Sequence, residues 1–425
     1  MKDTKQIFLF GFALFAGFFG AGNLILPPLL GFNSGPDWWF VAIGFMITTT
    51  LIPLLSLFGH AKLQGTMLDF GNKVSPLFSL IYCLIMYLII VALPAPRTAA
   101  VTHEMAIAPL FGTPPLLTSC IYFGLVLVFV LNRSKALNLL GKFLTPIIVI
   151  MVLIIIVLGL VSPPDIMQSA TFATPFVDGL LEGYQTYDAL AGMVMGGVII
   201  ISLNKSGLTS YAEKKKIIAK SGFIAMFGLF IIYAGLIALG ALYNGEFPSD
   251  ITRTDLLLGL SKSMLGDIGG TFVSVLVALA CFTTAVAITV SIADFFKALF
   301  NDSAKAYVYV TIICCIIGVI MGSYDVGFII DIALPALMFI YPISIVLILL
   351  NVLPEKWASP LVFRMVVITA FVFSIPDVLA FFMPKESLKP IVDLIPLAQH
   401  SLGWVLPALL VFVITSLVQP KMKTT

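Results

Sequence analysis

The sequence predicts an all-α polytopic membrane protein of about twelve transmembrane helices, and three observations carry that expectation. The chain of 425 residues is 60% hydrophobic and 10% charged, where a soluble domain has about 25% charged residues, and its mean hydropathy is +1.11. Apolar stretches of about 20 residues, the length that spans a hydrocarbon core, recur along the whole chain. Between them, basic residues are frequent in every second connection and sparse in the others. The segments are 6–31, 38–60, 76–96, 115–131, 139–161, 176–203, 220–243, 270–297, 306–322, 332–352, 362–383 and 399–418. Little is left over for a soluble domain.

The first segment contains FAGFFGAGNLILPPLLG, residues 15–31, with Gly17, Gly20 and Gly22 inside six residues, then Asn23, then Pro27-Pro28. Each interior glycine costs roughly 1 kcal/mol of helix stability relative to alanine, and proline removes a donor and blocks the preceding turn. The pattern predicts a helix unwound at mid-depth, its freed N–H and C=O groups buried in protein or lining a cavity. Secondary transporters build substrate and ion sites from such broken helices. A glycine-rich packing face is the plainer alternative. Lys2 and Lys5 precede the segment, but the apolar stretch is too long for a signal peptide and runs into Pro27-Pro28, so no cleavage is expected.

The third segment is expected to end near Pro96. Beyond it, PRTAAVTHE places Arg97 and Glu104 two turns apart on one helical face in the outer half. Ionisable groups at membrane depth are functional candidates, here as a gate or an architectural ion pair. The sixth segment, FVDGLLEGYQTYDALAGMVMGGVIISLN, is interrupted by Glu182–Asp188. Residues 189–203 alone are too short to span, so 176–184 reads as a half-helix and Asp188 as the cap of the second half, with a proton relay as its alternative role. Breaks in helices 1 and 6 suggest two five-helix repeats, 1–161 and 176–352, of inverted topology, followed by two further helices over 362–418. Asp325 and Asp331, near helix 10, read as loop and cap residues.

All of the 23 lysines and arginines except Arg97, Arg253, Lys262, Lys385 and Lys389 fall on one side of this topology, which places both termini in the cytoplasm. The run YAEKKKIIAK is then a cytoplasmic anchor rather than a nucleic-acid site. Cys83, Cys120, Cys281, Cys314 and Cys315 have no C-x-x-C spacing, and His60, His103 and His400 are dispersed. Neither a metal cofactor nor a disulfide framework is expected, and nothing gathers the acid, base and nucleophile of a membrane enzyme.

Four stretches, FFGAGNLILPPLLG, PAPRTAAVTHEMAIAPL, LEGYQTYDALAG and LACFTTAVAITVSIADFF, resemble the bacterial branched-chain amino acid:cation symporter family, often called BrnQ, in order and over essentially the whole chain. That family belongs to the amino-acid/polyamine/organocation group, so the resemblance implies a LeuT-like 5+5 inverted repeat with two additional helices. It also implies import of L-leucine, L-isoleucine and L-valine across the bacterial inner membrane, driven by sodium or, alternatively, protons; carriage of other neutral amino acids is the neighbouring reading. Position by position, the carbonyls of Ala16, Phe19 and Ala280 and the hydroxyls of Thr283 and Thr284 would hold sodium, a hard ion that wants oxygen ligands. Back-bonding to their own helix is the alternative fate of the two threonines. The N–H groups of Gly20, Ala21 and Gly22 would receive the substrate carboxylate at the positive end of a half-helix. The ammonium would meet the carbonyl of Phe18 and the helix 6 break at Tyr184, Gln185 and Thr186. Asn23 would serve either the carboxylate region or a second ion.

Overall fold

The first expected span is two helices, α1 (Lys2–Phe18) and α2 (Ala21–Ser34), parted at residues 19 and 20. The computed structural model describes residues 2–132, 143–161, 163–164, 167–205 and 207–418. Gly20 is extended (φ −115°, ψ −161°), and its N–H donates to Asn23 Oδ1 at 3.4 Å, so the new helix starts on a side-chain acceptor. Pro27 and Pro28 lie inside α2 without ending it. The glycines make the break, and the prolines do not.

Gly35, at φ +47°, opens a tight turn into α3 (Trp38–Met46), which continues through a π-turn (Ile47–Leu51) into α4 (Ile52–Leu63). As a single rod, the 42-residue run Gly22–Leu63 would measure about 63 Å, twice a hydrocarbon core of about 30 Å. The turn at Gly35 folds it into two arms. After the short α5 (Met67–Gly71) comes α6 (Pro76–Ala92), then α7 (Pro94–Thr102), a π-turn (His103–Ile107) and α8 (Ala108–Phe111).

Here the expected end near Pro96 is wrong. Pro94 and Pro96 occupy the first turn of α7, where the missing N–H has no helical partner to lose, and the helical run continues to Phe111. Arg97 therefore lies some 20 Å, at about 1.5 Å per residue, from that end. It is buried within the bundle well short of the helix end, not an outer-face residue.

The chain proceeds through α9 (Pro115–Leu131) and α10 (Thr145–Val161). The start of the fifth expected segment, with Arg133, Lys135, Lys142, Lys421 and Lys423, falls outside the described residues. The sixth expected span is again two helices, α11 (Pro175–Glu182) and α12 (Asp188–Lys205), joined by a 3-10 turn (Gly183–Thr186) and by Tyr187 at φ +63°. The two halves are bent by 42°. There follow α13 (Tyr211–Leu242), α14 (Arg253–Leu265), α15 (Asp267–Leu299), α16 (Ala304–Met321), α17 (Val326–Val352), α18 (Pro360–Leu379), α19 (Lys385–Val392) and α20 (Val405–Val418). Both α14 and α19 lie where the hydropathy pattern showed only connections.

Among the described residues, 7 helical runs are long and apolar enough to cross a membrane, 8 with the bent pair, beside shorter apolar helices such as Thr4–Phe18 and Pro115–Leu131. The molecule is a multi-pass membrane protein. Large apolar side chains such as Leu88, Val128, Ile316 and Ile368 face outward, as a lipid-facing surface requires and an aqueous one would not tolerate. Inside, α2 and α13 meet backbone to backbone. A Cβ on Gly31 would fall on the Ile237 carbonyl, and one on Gly240 on the Pro28 carbonyl. This small-residue packing fixes α2, and with it the helix 1 break, against the helix that carries Tyr233.

Candidate functional site

The two breaks meet. Asn23, in the first turn of α2, points its Nδ2 at both oxygens of Asp188, each at 2.8 Å, and at the Tyr233 hydroxyl. Tyr233 in turn donates to Asp188 Oδ2 at 2.9 Å. Asp188 is fully buried. Asn23 is therefore committed to this carboxylate, and Asp188 does not cap α12. The Thr186 hydroxyl takes that role, accepting from the Asp188 N–H at 3.3 Å while donating to Gly183 O at 2.8 Å. The physical reason is the positive φ at Tyr187, which turns the chain so that Asp188 enters the helix with its side chain aimed across at α2.

Beside the helix 1 break, α15 brings a set of oxygens to the end of α1. Thr284 Oγ1 lies 3.2 Å from Ala16 O, Thr283 Oγ1 3.4 Å from Ala16 O, and Thr283 Oγ1 2.9 Å from Ala280 O. Thr283 makes the back-bond to its own helix, but Thr284 reaches across to α1. An octahedral oxygen shell with bonds of about 2.3–2.6 Å has edges of about 3.3–3.7 Å, so the two contacts to Ala16 O come near the spacing of a hard-cation site once the hydroxyl protons turn outward, while the 2.9 Å contact is an ordinary back-bond. Four of the five expected ligand residues are thus brought together. Phe19 sits at the break itself, its N–H still bonded to Phe15 O at 2.8 Å. A Cβ on Gly20 would stand 2.9 Å from Thr284 Oγ1.

Between the breaks is a cavity of about 40 Å³, with Gly20, Gly22, Asn23, Thr186, Asp188 and Arg97 on its polar wall and Phe18, Ile90, Val194, Met195 and Ile288 on its apolar wall. At about 10–15 Å³ per water this holds a few waters; a leucine requires the walls to part. Val194 and Ser291 also line a vestibule of about 310 Å³ that opens beside Thr66, Gly197, Asp294 and Leu299.

Two expected substrate residues turn away from the cavity. Tyr184 stacks on Tyr341 with ring centroids 4.2 Å apart. The Gln185 side chain donates to Glu182 Oε2 at 2.7 Å and accepts from Arg253 Nη1 at 2.6 Å, and Arg253 Nη2 lies 3.6 Å from Glu182 Oε2. This clamp ties α14 to the helix 6 break. The tighter 3-10 winding sets these side chains on a face that continuing the α-helical period would not give.

Arg97 and Glu104 are not an ion pair. Arg97 Nη2 donates to the Gln185 carbonyl at 2.7 Å, and Glu104 Oε1 accepts from the Val326 N–H at 2.9 Å, at the start of α17. Seven residues are two turns, about 10.5 Å along the axis, so the two groups share a face without touching and each takes a partner on another element. Sequence reasoning also missed Tyr233, Tyr187 and Arg253. Tyr233 is one tyrosine in an apolar helix, and only packing gives it significance.

A family model described as "Branched-chain amino acid transport protein" matches residues 3–422. The chain belongs to this family. The carrier is 32% identical to the branched-chain amino acid transport system 2 carrier protein of Pseudomonas aeruginosa, over 95% of this chain and 94% of that protein. It is equally 32% identical to the branched-chain amino acid permease BraB of Bacillus subtilis, over 98% and 97%. The family and these relatives are transporters and permeases, not enzymes. Among solved structures, a Na+-coupled sialic acid symporter in a substrate-bound outward-open state superposes with a TM-score of 0.62 at 12% identity, over 98% of this chain and 90% of that one. MhsT in complex with L-phenylalanine superposes with a TM-score of 0.56 at 15% identity, over 96% and 97%. At these identities the likeness is one of fold, and the carrier's structural neighbours are LeuT-fold transporters.

Proposed function

We propose that the carrier imports leucine, isoleucine and valine by sodium-coupled symport, through alternating access across a bacterial inner membrane. The observation that carries this reading is the oxygen cluster of Ala16, Ala280, Thr283 and Thr284, which joins α1 to α15 at the point where helix 1 is broken. It is all oxygen and carries no formal charge, a donor set suited to a hard monovalent cation rather than to a softer metal. Sodium bound there as a co-transported substrate would tie the end of α1 to α15 and steady the start of α2 beside it.

In this reading the amino acid lies between the breaks. Its carboxylate meets the N–H groups of Ala21 and Gly22 at the positive end of α2, and that of Gly20 once it exchanges its long bond to Asn23 Oδ1 for the substrate. Its ammonium meets the Phe18 carbonyl and the helix 6 break beside Thr186. The aliphatic side chain takes the apolar wall of Ile90, Val194, Met195 and Ile288. One methylene changes binding by only about 1–3 kcal/mol, so the three substrates should compete closely. Release follows through the vestibule shared at Val194 and Ser291, while the Arg253–Glu182–Gln185 clamp keeps the other side shut. A twelve-span, 5+5 inverted topology with both termini cytoplasmic belongs to the same proposal.

The test is uptake of radiolabelled leucine into proteoliposomes holding the purified protein. An inward sodium gradient is expected to accelerate uptake, and unlabelled isoleucine and valine to compete. Equal uptake with choline in place of sodium, at every pH, would refute sodium coupling. Uptake driven by an imposed proton gradient alone would establish the proton-coupled alternative instead.

A further inference from the structure

We propose that Arg97 is the carboxylate receptor of the transported amino acid, acting together with the start of α2. The assignment rests on the amino-acid reading above and adds to it a side chain that sequence reasoning had given to an ion pair. Arg97 is 4% exposed and lies in the wall of the cavity between the two breaks. Its Nη2 donates to a neutral carbonyl, that of Gln185, and its Nε has no partner among the described residues. The guanidinium sits 5.3 Å over the Tyr187 ring. A Cβ built on Gly22 would fall on Nη2, so the cation lies directly against the backbone that opens α2.

Two positive features therefore converge on one small cavity, a permanently charged guanidinium and the N-terminal end of a helix dipole. Among the described residues no carboxylate makes an ion pair with Arg97, although Asp188 lines the same cavity and acts on it through space. Asp188 is held by Asn23 and Tyr233, Glu182 by Gln185 and Arg253, and Glu104 by the Val326 N–H. A buried cation whose hydrogen-bond donors are not all met is costly, and a planar guanidinium with Nε to spare matches a carboxylate in a two-pronged geometry. The ligand that resolves this arrangement is an anion of carboxylate size entering the cavity, which an amino acid supplies. Because Arg97 also holds the Gln185 carbonyl, a carboxylate on Arg97 bears directly on the helix 6 break and on the outer clamp.

The experiment compares L-leucine with L-leucinamide, which lacks the carboxylate, for binding to the purified full chain and to Arg97→Gln and Arg97→Lys variants. Wild type is expected to prefer leucine. Arg97→Gln should weaken leucine about 10- to 100-fold, the loss of one charge-assisted contact, while leaving leucinamide within about threefold; Arg97→Lys should fall between. Equal weakening of both probes, or an unchanged preference, overturns the assignment while leaving the substrate reading intact. Wild type that binds no aliphatic amino acid overturns both. A measurement on wild type alone covers variants that do not fold. Modification of Arg97 by phenylglyoxal, followed by mass spectrometry, should be suppressed by leucine and not by leucinamide, and suppression by both or by neither refutes the proposal.

Discussion

Replacing Thr284 separates an ion ligand from an ordinary interhelical hydrogen bond. Thr284→Val keeps the side-chain shape and removes only the hydroxyl. That hydroxyl has a 3.2 Å contact to Ala16 O, and Ala16 O keeps the Thr283 hydroxyl at 3.4 Å. The folding cost is therefore that of one neutral hydrogen bond with a remaining alternative, about 0.5–1.5 kcal/mol. The cost to sodium is of another order. Losing a group that merely orients a metal ligand costs about 10–100-fold in affinity, and here a direct oxygen is replaced by a methyl group, so sodium half-saturation should rise by at least about tenfold. Thr284→Ser keeps the oxygen and should stay within about threefold of wild type. The assay is the sodium dependence of leucine uptake in proteoliposomes, with thermal stability of the detergent-purified protein measured in parallel. A Val variant with unchanged half-saturation and a modest loss of stability would refute the reasoning and return Thr284 to a packing role.

Three further outcomes follow from the same geometry. Gly22→Ala should abolish leucine binding while the protein stays inserted and monodisperse, because its Cβ would meet the Arg97 guanidinium and stand 3.2 Å from the Gln185 carbonyl; normal affinity with a large loss of melting temperature would make Gly22 a packing residue. Asp188→Asn replaces one carboxylate oxygen facing Asn23 and Tyr233 with a donor, and should weaken leucine binding at least about tenfold, since charged hydrogen bonds contribute about 1.5–3 kcal/mol each; an unchanged affinity in binding assays would show that this triangle does not hold the site. Arg253→Gln should loosen the outer clamp. Its partly exposed ion pair contributes about 1 kcal/mol or less, so thiol labelling of a Thr98→Cys reporter in the cavity wall from the outer side should rise only several-fold, and an unaltered labelling rate would remove Arg253 from the gate.

The features that the sequence alone determined are those whose causes are local. Glycine crowding at Gly17, Gly20 and Gly22 weakens a helix wherever it is placed, so the helix 1 break was legible. The polar run Glu182–Asp188 interrupts an apolar span whatever surrounds it, and the helix 6 break was legible for that reason. The pairing of Ala16 with Thr283 and Thr284 spans 267 and 268 residues, and only resemblance to a family could suggest it. Everything that depends on helix rotation and on long-range packing was decided by the tertiary structure. Packing gives Arg97 the Gln185 carbonyl and Glu104 the Val326 N–H instead of each other, the positive φ at Tyr187 sends Asp188 to Asn23 rather than to its own helix end, and the 3-10 turn sends Gln185 to Arg253. Side-chain partners across a membrane bundle follow from which faces the backbone contacts bring together, such as Gly31 against α13, and no window of neighbouring residues contains that information.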